Sequence, residues 1–129
     1  MANWSGQGID IPMTACGDLN SVQYRFVEAA SAAGRIEQST GGCNPYPLGI
    51  LQNDPASLDG ANVRVAGTSI LKVNATTAIT YGDFLTSNSV GMGIKTTTAS
   101  DLYHAIALEE VASGSNVQIK VLLKHGPIW

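Results

Sequence analysis

The sequence predicts an all-β fold, a small β-barrel or β-sandwich built from two similar β-units with an extended N-terminal arm. Three observations lead there. Short apolar segments recur at intervals of about 8 to 14 residues, punctuated by Gly, Asn, Asp and Pro, which is the rhythm of strands and turns rather than of long helices. Several segments alternate: Val63 and Val65 flank Arg64, and Val117, Ile119 and Val121 are separated by Gln118 and Lys120, the period of two that places one strand face on a core. Finally, the stretch PLGILQNDPASLDGANVRVAG at 47–67 has a counterpart in HAIALEEVASGSNVQIKVLL at 104–123.

Laid side by side, the two halves keep step. Phe26-Val27 is matched by Phe84-Leu85, Arg35-Ile36-Glu37 by Ile94-Lys95, Leu48-Gly49-Ile50-Leu51 by Ala105-Ile106-Ala107-Leu108, and Asn62-Val63-Arg64-Val65 by Asn116-Val117-Gln118-Ile119. Phe26 to Ile36 is ten positions and so is Phe84 to Ile94, while the later intervals, fourteen against twelve and thirteen against eleven, differ by lengths that fit in turns. The repeated units cover about 22–66 and 80–123. Each is too small to bury its apolar face alone, so the pair is expected to close one core. Further strands are expected at 70–73 and 78–81, in the bridge between the halves.

Two segments also meet helical criteria. Residues 20–33 place Val22, Phe26, Ala29, Ala30 and Ala33 on one face with Asn20 as cap and Gly34 as stop, and residues 100–111 offer Ser100 or Asp101 as caps. Each occupies the position of a strand in the other unit, and Val22, Tyr24 and Phe26 alternate with Gln23 and Arg25. Strands are therefore expected in both.

A chain of 129 residues is long enough to bury about two thirds of its unfolded surface in one domain. The expected division is an arm at 1–15 and a single β domain at 16–129. No apolar run approaches the roughly 20 residues of a membrane helix. The start, MANWSGQGIDIP, has no basic region ahead of an apolar one, so no secretory signal is visible and synthesis in a cytoplasm is expected. Charged residues make up only 13% of the chain, against about 25% ordinarily. Ser, Thr, Asn, Gln and Gly fill the polar positions, and such a surface is inexpensive to desolvate against another protein. Extensive subunit contacts would explain the deficit; compositional drift would also produce it. A net charge of −3, with seven scattered Lys and Arg, argues against a nucleic-acid partner.

The chemistry on offer is sparse. Glu109 and Glu110 are adjacent, so on a strand they point to opposite faces and cannot share a proton. His104 and His125, the only imidazoles, lack a nucleophile pattern and are expected as polar surface or interface residues. No GxSxG, HExxH or phosphate-binding glycine loop occurs, and VGMG at 90–93 reads as a hairpin turn. Cys16 and Cys43 fit no metal signature. They are expected reduced and buried in a cytoplasmic product, with a disulfide open to them outside the cell. The reading is thus not an enzyme: no catalytic residue, no metal site, no cofactor.

Among the aromatics, Tyr24, Phe26, Tyr81 and Phe84 fall at strand positions and are expected in the core, while Trp4, Tyr46, Tyr103 and Trp129 are better placed for exposure. Tryptophans near both ends are costly to leave in water, so Trp4 and Trp129 are expected to pack on a neighbouring subunit or on their own domain. The segment WSGQGIDIP has glycines at 6 and 8, then Ile9-Asp10-Ile11 and a proline that cannot donate to a ladder. It can add as an edge strand to a neighbour or pair with its own sheet. The residues nominated for partner contact are Trp4, Ile9, Ile11 and Trp129.

The order QYRFVEA, PLGILQNDP, GDFLTS with GMGIK, and AIALEEVASGSNVQIKVLLKHG resembles the capsid cement, or head-decoration, proteins of tailed bacteriophages, over 23–126. The insertion GGCNPYP at 41–47 and the PIW tail depart from that pattern. The resemblance implies a structural decoration protein that binds the outer surface of an expanded capsid as a homotrimer and clamps neighbouring major capsid subunits. Its partners would be the major capsid protein and itself, with no nucleic acid and no membrane. It would be made in the host bacterial cytoplasm and reside in the virion, with residues 4–11 lying along the shell. The alternative is a ligand- or carbohydrate-binding β-module on a virion or cell surface, resting on Tyr46, Tyr103 and the Ser/Thr-rich exterior.

Overall fold

The computed structural model describes residues 6–41, 46–97 and 101–128, and these contain nine strands and no helix. In chain order the strands are β1 (Gly8–Ala15), β2 (Phe26–Ala29), β3 (Arg35–Gln38), β4 (Pro47–Leu51), β5 (Gly60–Ala75), β6 (Phe84–Ser87), β7 (Gly93–Lys95), β8 (Leu102–Ala107) and β9 (Ser115–Pro127). They form one sheet in the order β1-β3-β2-β4-β5-β7-β6-β8-β9, and two extra pairings, β1 with β5 and β5 with β9, fold it into two closed rings that share β5. Every strand therefore has two neighbours, although residues 8–13 of β1 and 115–119 of β9 are paired on one side only, with β5.

The repeat seen in the sequence is a topological one. The first ring connects as β3-β2-β4-β5 and the second as β7-β6-β8-β9. Phe26 lies opposite Ile50 and Phe84 opposite Ile106, the same cross-strand pair twice. The repeat also begins earlier than expected, because the second half of β5 plays the part that β1 plays in the first ring. Ala15 of β1 pairs in parallel with Ile36, and Val73 of β5 pairs in parallel with Gly93; Ala15 and Val73, like Phe26 and Phe84, are 58 positions apart.

At its far end the sequence alignment is displaced. Leu51 faces Val63 and Ala107 faces Val121, so Val121 rather than Val117 occupies the place of Val63. Val63 and Val121 are fully buried, whereas Val117 is 43% exposed. A four-residue slip keeps the inward face of an alternating strand, which is why alternation alone did not fix the match.

Two apolar clusters replace the single core expected. The first ring encloses Ala15, Leu19, Val22, Val27, Ile36, Leu51, Ala61 and Val63. The second encloses Leu71, Val73, Ala75, Leu85, Ala105, Ala107, Ile119, Val121 and Leu123 with the bridge residue Ile79, and it also takes in Phe26 and Ile50 from the first unit. Successive strand residues point to opposite faces. The doublets Phe26-Val27 and Ile50-Leu51 thus send one side chain into each cluster and bind the rings together.

Elsewhere local expectations are corrected. The segment 20–24 is neither helix nor strand: Tyr24 has φ 65°, and its amide and carbonyl are taken by Leu51 O and Lys72 N. Residues 62–65 and 70–73 belong to one strand instead of two. Residues 78–81 contribute only an isolated bridge, Ile79 to Val111, and Tyr81 is 71% exposed rather than in the core. Of the two courses open to the N-terminal segment, residues 8–15 take pairing within their own chain, with β5 over most of their length.

The change of ring happens at Gly67, which pairs with Gly8 in the first ring and with Leu123 in the second. Its φ of 97° suits glycine, and a Cβ would run into the backbone of Gln7 and Gly8. Gly67→Ala is expected to destabilise by more than about 1 kcal/mol, read as a lowered urea midpoint at unchanged slope. Phe26→Ala, which empties a fully buried site shared by both halves, is expected to cost about 3 to 5 kcal/mol. A loss near zero at Phe26 would contradict the two-cluster packing.

Candidate functional site

Two surface features stand out. The first is a cleft of about 460 Å³ where β4 approaches the β8–β9 pair, lined by Tyr46, Pro47, Leu48, Leu102, His104, His125 and Gly126. A register shift in β8 between Tyr103 and Ala105 accompanies the burial of three successive residues, Tyr103, His104 and Ala105. His104 is 4% exposed, a correction to its expected surface position. Its ring meets the edge of Phe26 at 6.0 Å and lies 6.3 Å from Tyr46.

His104 Nδ1 and His125 Nδ1 are 2.9 Å apart. One ring must donate its Nδ1–H to the bare Nδ1 of the other, so the acceptor carries its proton on Nε2. Burial pushes His104 down to about 4, with the neighbouring His125 adding to the effect. His125 is also lowered by burial, although its outer side reaches solvent. Both rings are accordingly neutral near pH 7. A first proton can enter at the donor's Nε2 and leave the bond intact; a second sets two N–H groups against each other.

Among the described residues the pair has no carboxylate or hydroxyl partner, and no group of three His, Cys, Asp or Glu could hold a metal ion. The third member that would orient a base toward a nucleophile does not stand beside either ring. Glu109 and Glu110 lie just past the end of β8 rather than on a strand, and Glu109 is ion-paired with Lys120 at 3.8 Å. Buried Glu28 accepts the Thr40 amide at 2.9 Å. Cys16 is a half-buried free thiol, and Cys43 lies outside the described residues.

The second feature is the scatter of apolar side chains on the outer surface: Ile9, Tyr46, Leu58, Tyr81, Val90, Val117 and Leu122. Of the residues nominated for partner contact, Ile9 is 63% exposed, Ile11 packs against the first cluster, and Trp4 and Trp129 lie outside the described residues. The carbohydrate platform does not assemble. Tyr46 is exposed, but Tyr103 is 8% exposed and stacks on Phe84 at 4.3 Å. The imidazole pair escaped the sequence reading because its partners are 21 positions apart and meet only across the β8–β9 register.

A family model of phage cement proteins matches residues 4–123. The chain belongs to the phage cement protein family. Among curated proteins none matches it. Among solved structures, it is similar to the N-terminal base of the head fibre protein gp8.5 of bacteriophage phi29, with a TM-score of 0.65 at 18% identity, over 90% of this chain and 93% of that one. That likeness supports the all-β fold. Family membership gives the chain a structural, capsid-associated role.

The imidazole pair makes stability depend on pH with a definite sign. Unfolded histidines take up protons near 6.5, and the folded pair only at lower pH. Stability is therefore full above about pH 7.5 and falls as pH drops through 6.5 toward 4, by about 3 kcal/mol from His104 with a further, water-screened share from His125. Urea midpoints measured from pH 8 to 4.5 are expected to decline for the native chain. They are expected to flatten in this range for a His104→Gln/His125→Gln double variant.

Proposed function

We propose that the chain is a cement that binds the outer surface of an expanded phage capsid as a homotrimer and holds neighbouring major capsid subunits together. The observation that carries this reading is the cement-family match over residues 4–123. The surface is consistent with it: charged residues are 13% of the chain, and apolar side chains such as Ile9 and Leu122 reach solvent. Burying neutral groups costs little desolvation. Trp4 and Ile9, at the start of the chain, are assigned to contact with the shell.

Energetically, each contact is modest and the trimer multiplies them. Once one subunit is seated, the others bind at high effective concentration. If the seat exists only on the expanded shell, binding also shifts the shell toward that state and resists its rupture. Mixing the purified chain with empty expanded capsids of the cognate phage and sedimenting them is expected to yield near-stoichiometric co-sedimentation, with capsids that rupture at a higher temperature. Ile9→Asp is expected to weaken binding at least tenfold without changing the thermal midpoint of the free protein. Failure of the native chain to co-sediment would remove the reading.

A further inference from the structure

The two units carry the same ladder of side chains on the same face and finish it differently. In the first unit the ladder runs Phe26, Ile50, Arg64, Asp10 across β2, β4, β5 and β1. In the second it runs Phe84, Ile106, Leu122, Thr68 across β6, β8, β9 and β5. Directly opposed residues in antiparallel pairs project from the same side of the sheet. In the first unit Phe26 and Ile50 are completely covered, by the second unit, and the ladder closes in an Arg64–Asp10 ion pair at 2.7 Å. In the second unit Phe84 and Ile106 are only half-buried and Leu122 is 36% exposed. The ion pair's place is taken by leucine and threonine.

The second unit therefore presents the equivalent surface, over part of which Tyr103 stacks on Phe84 at 4.3 Å, while Ile106 and Leu122 remain partly open. We infer that the Phe84–Ile106–Leu122 face is where this chain meets a second copy of itself, building the homotrimer on which the proposed function rests. Three observations select that occupant. The face continues, by the internal repeat, an interface already formed between two units of this same fold. Charges beside it are matched, Asp83 with Lys95 at 3.2 Å and Glu109 with Lys120 at 3.8 Å, and the exposed Lys124 stands at its rim, so the apolar centre can be covered by another copy without leaving those pairs unanswered. Finally, at the ladder itself β6, β8 and β9 are paired on both sides, which leaves the side-chain face as the means of self-association at this place.

Substitution at Leu122 tests this without emptying a core site, because the side chain is at the surface. Analytical ultracentrifugation of the native chain is expected to give three times the 13.4 kDa subunit mass. Leu122→Arg, which copies the residue of the first unit, is expected to give a monomer with unchanged circular dichroism. Leu122→Gln is expected to raise the dissociation constant at least tenfold, and it serves if the arginine variant fails to fold. Val117→Asp, on the same strand outside the ladder, is expected to remain trimeric. Leu122→Gln and Leu122→Arg chains that stay trimeric would overturn the inference. So would a native chain that is monomeric both in solution and on the capsid. A native chain that is trimeric and loses its trimer at Leu122, yet fails to co-sediment with capsids, would uphold this face and remove the cement reading.

Discussion

The architecture depends on one strand serving two rings. β5 gives its first half to β1 and β4 and its second half to β7 and β9, and the change takes place at a residue that must satisfy both ladders. At Gly67 the backbone pairs with Gly8 on one side of the change and Leu123 on the other. A side chain there would collide with the main chain of the incoming β1. Because buried amides and carbonyls must find partners, a break at this point would expose the ends of two ladders at once. The rings cannot separate without unfolding, and so two units, each too small to be stable alone, behave as a single body.

A second constraint holds the units face to face. β2 and β4 are apolar on both sides, sending Val27 and Leu51 into one cluster and Phe26 and Ile50 into the other. This gives the doublets FV and IL a meaning that simple alternation lacks. A strand with one wet face alternates, whereas a strand between two packed layers does not. β9 is the opposite case, with Ile119, Val121 and Leu123 buried and Gln118, Leu122 and Lys124 turned outward or partly so.

Much of this was legible in the sequence because short-range pattern and repeat agree. The all-β class follows from residues within a few positions of one another, while the Phe26/Phe84 and Ile50/Ile106 correspondences and the strand over 104–107 in preference to a helix follow from the spacing of the two units. What escaped depends on contacts that no local pattern encodes. Separate strands are expected at 62–65 and 70–73, yet Gly67 serves a bend inside one continuous strand. Val22 and Tyr24 alternate like a strand, but Tyr24 takes a left-handed conformation to bridge Leu51 and Lys72. The expected exposed Tyr103 and surface His104 are both buried beside a bulge, and a bulge leaves almost no trace in hydrophobic periodicity. The family assignment was accessible because the sequence features behind it, strand cores and turns, are the features that make the fold.

Ring closure also decides how such a protein can bind anything. With main-chain pairing open only along one-sided stretches such as residues 8–13 and 115–119, most of the affinity for an approaching partner must come from the burial of side-chain surface. A surface rich in Lys and Glu would lose hydration on contact and return little, since exposed ion pairs contribute only about 0 to 1 kcal/mol. Short neutral side chains around a few apolar ones avoid that loss, and the contrast between the two ladders follows the same logic. Where the face is covered within the chain, its rim has room for the Arg64–Asp10 pair; where it is open, the equivalent positions are Leu122 and Thr68. The charge deficit and the altered end of the repeat thus answer to one physical demand, a surface that loses little hydration when it is covered.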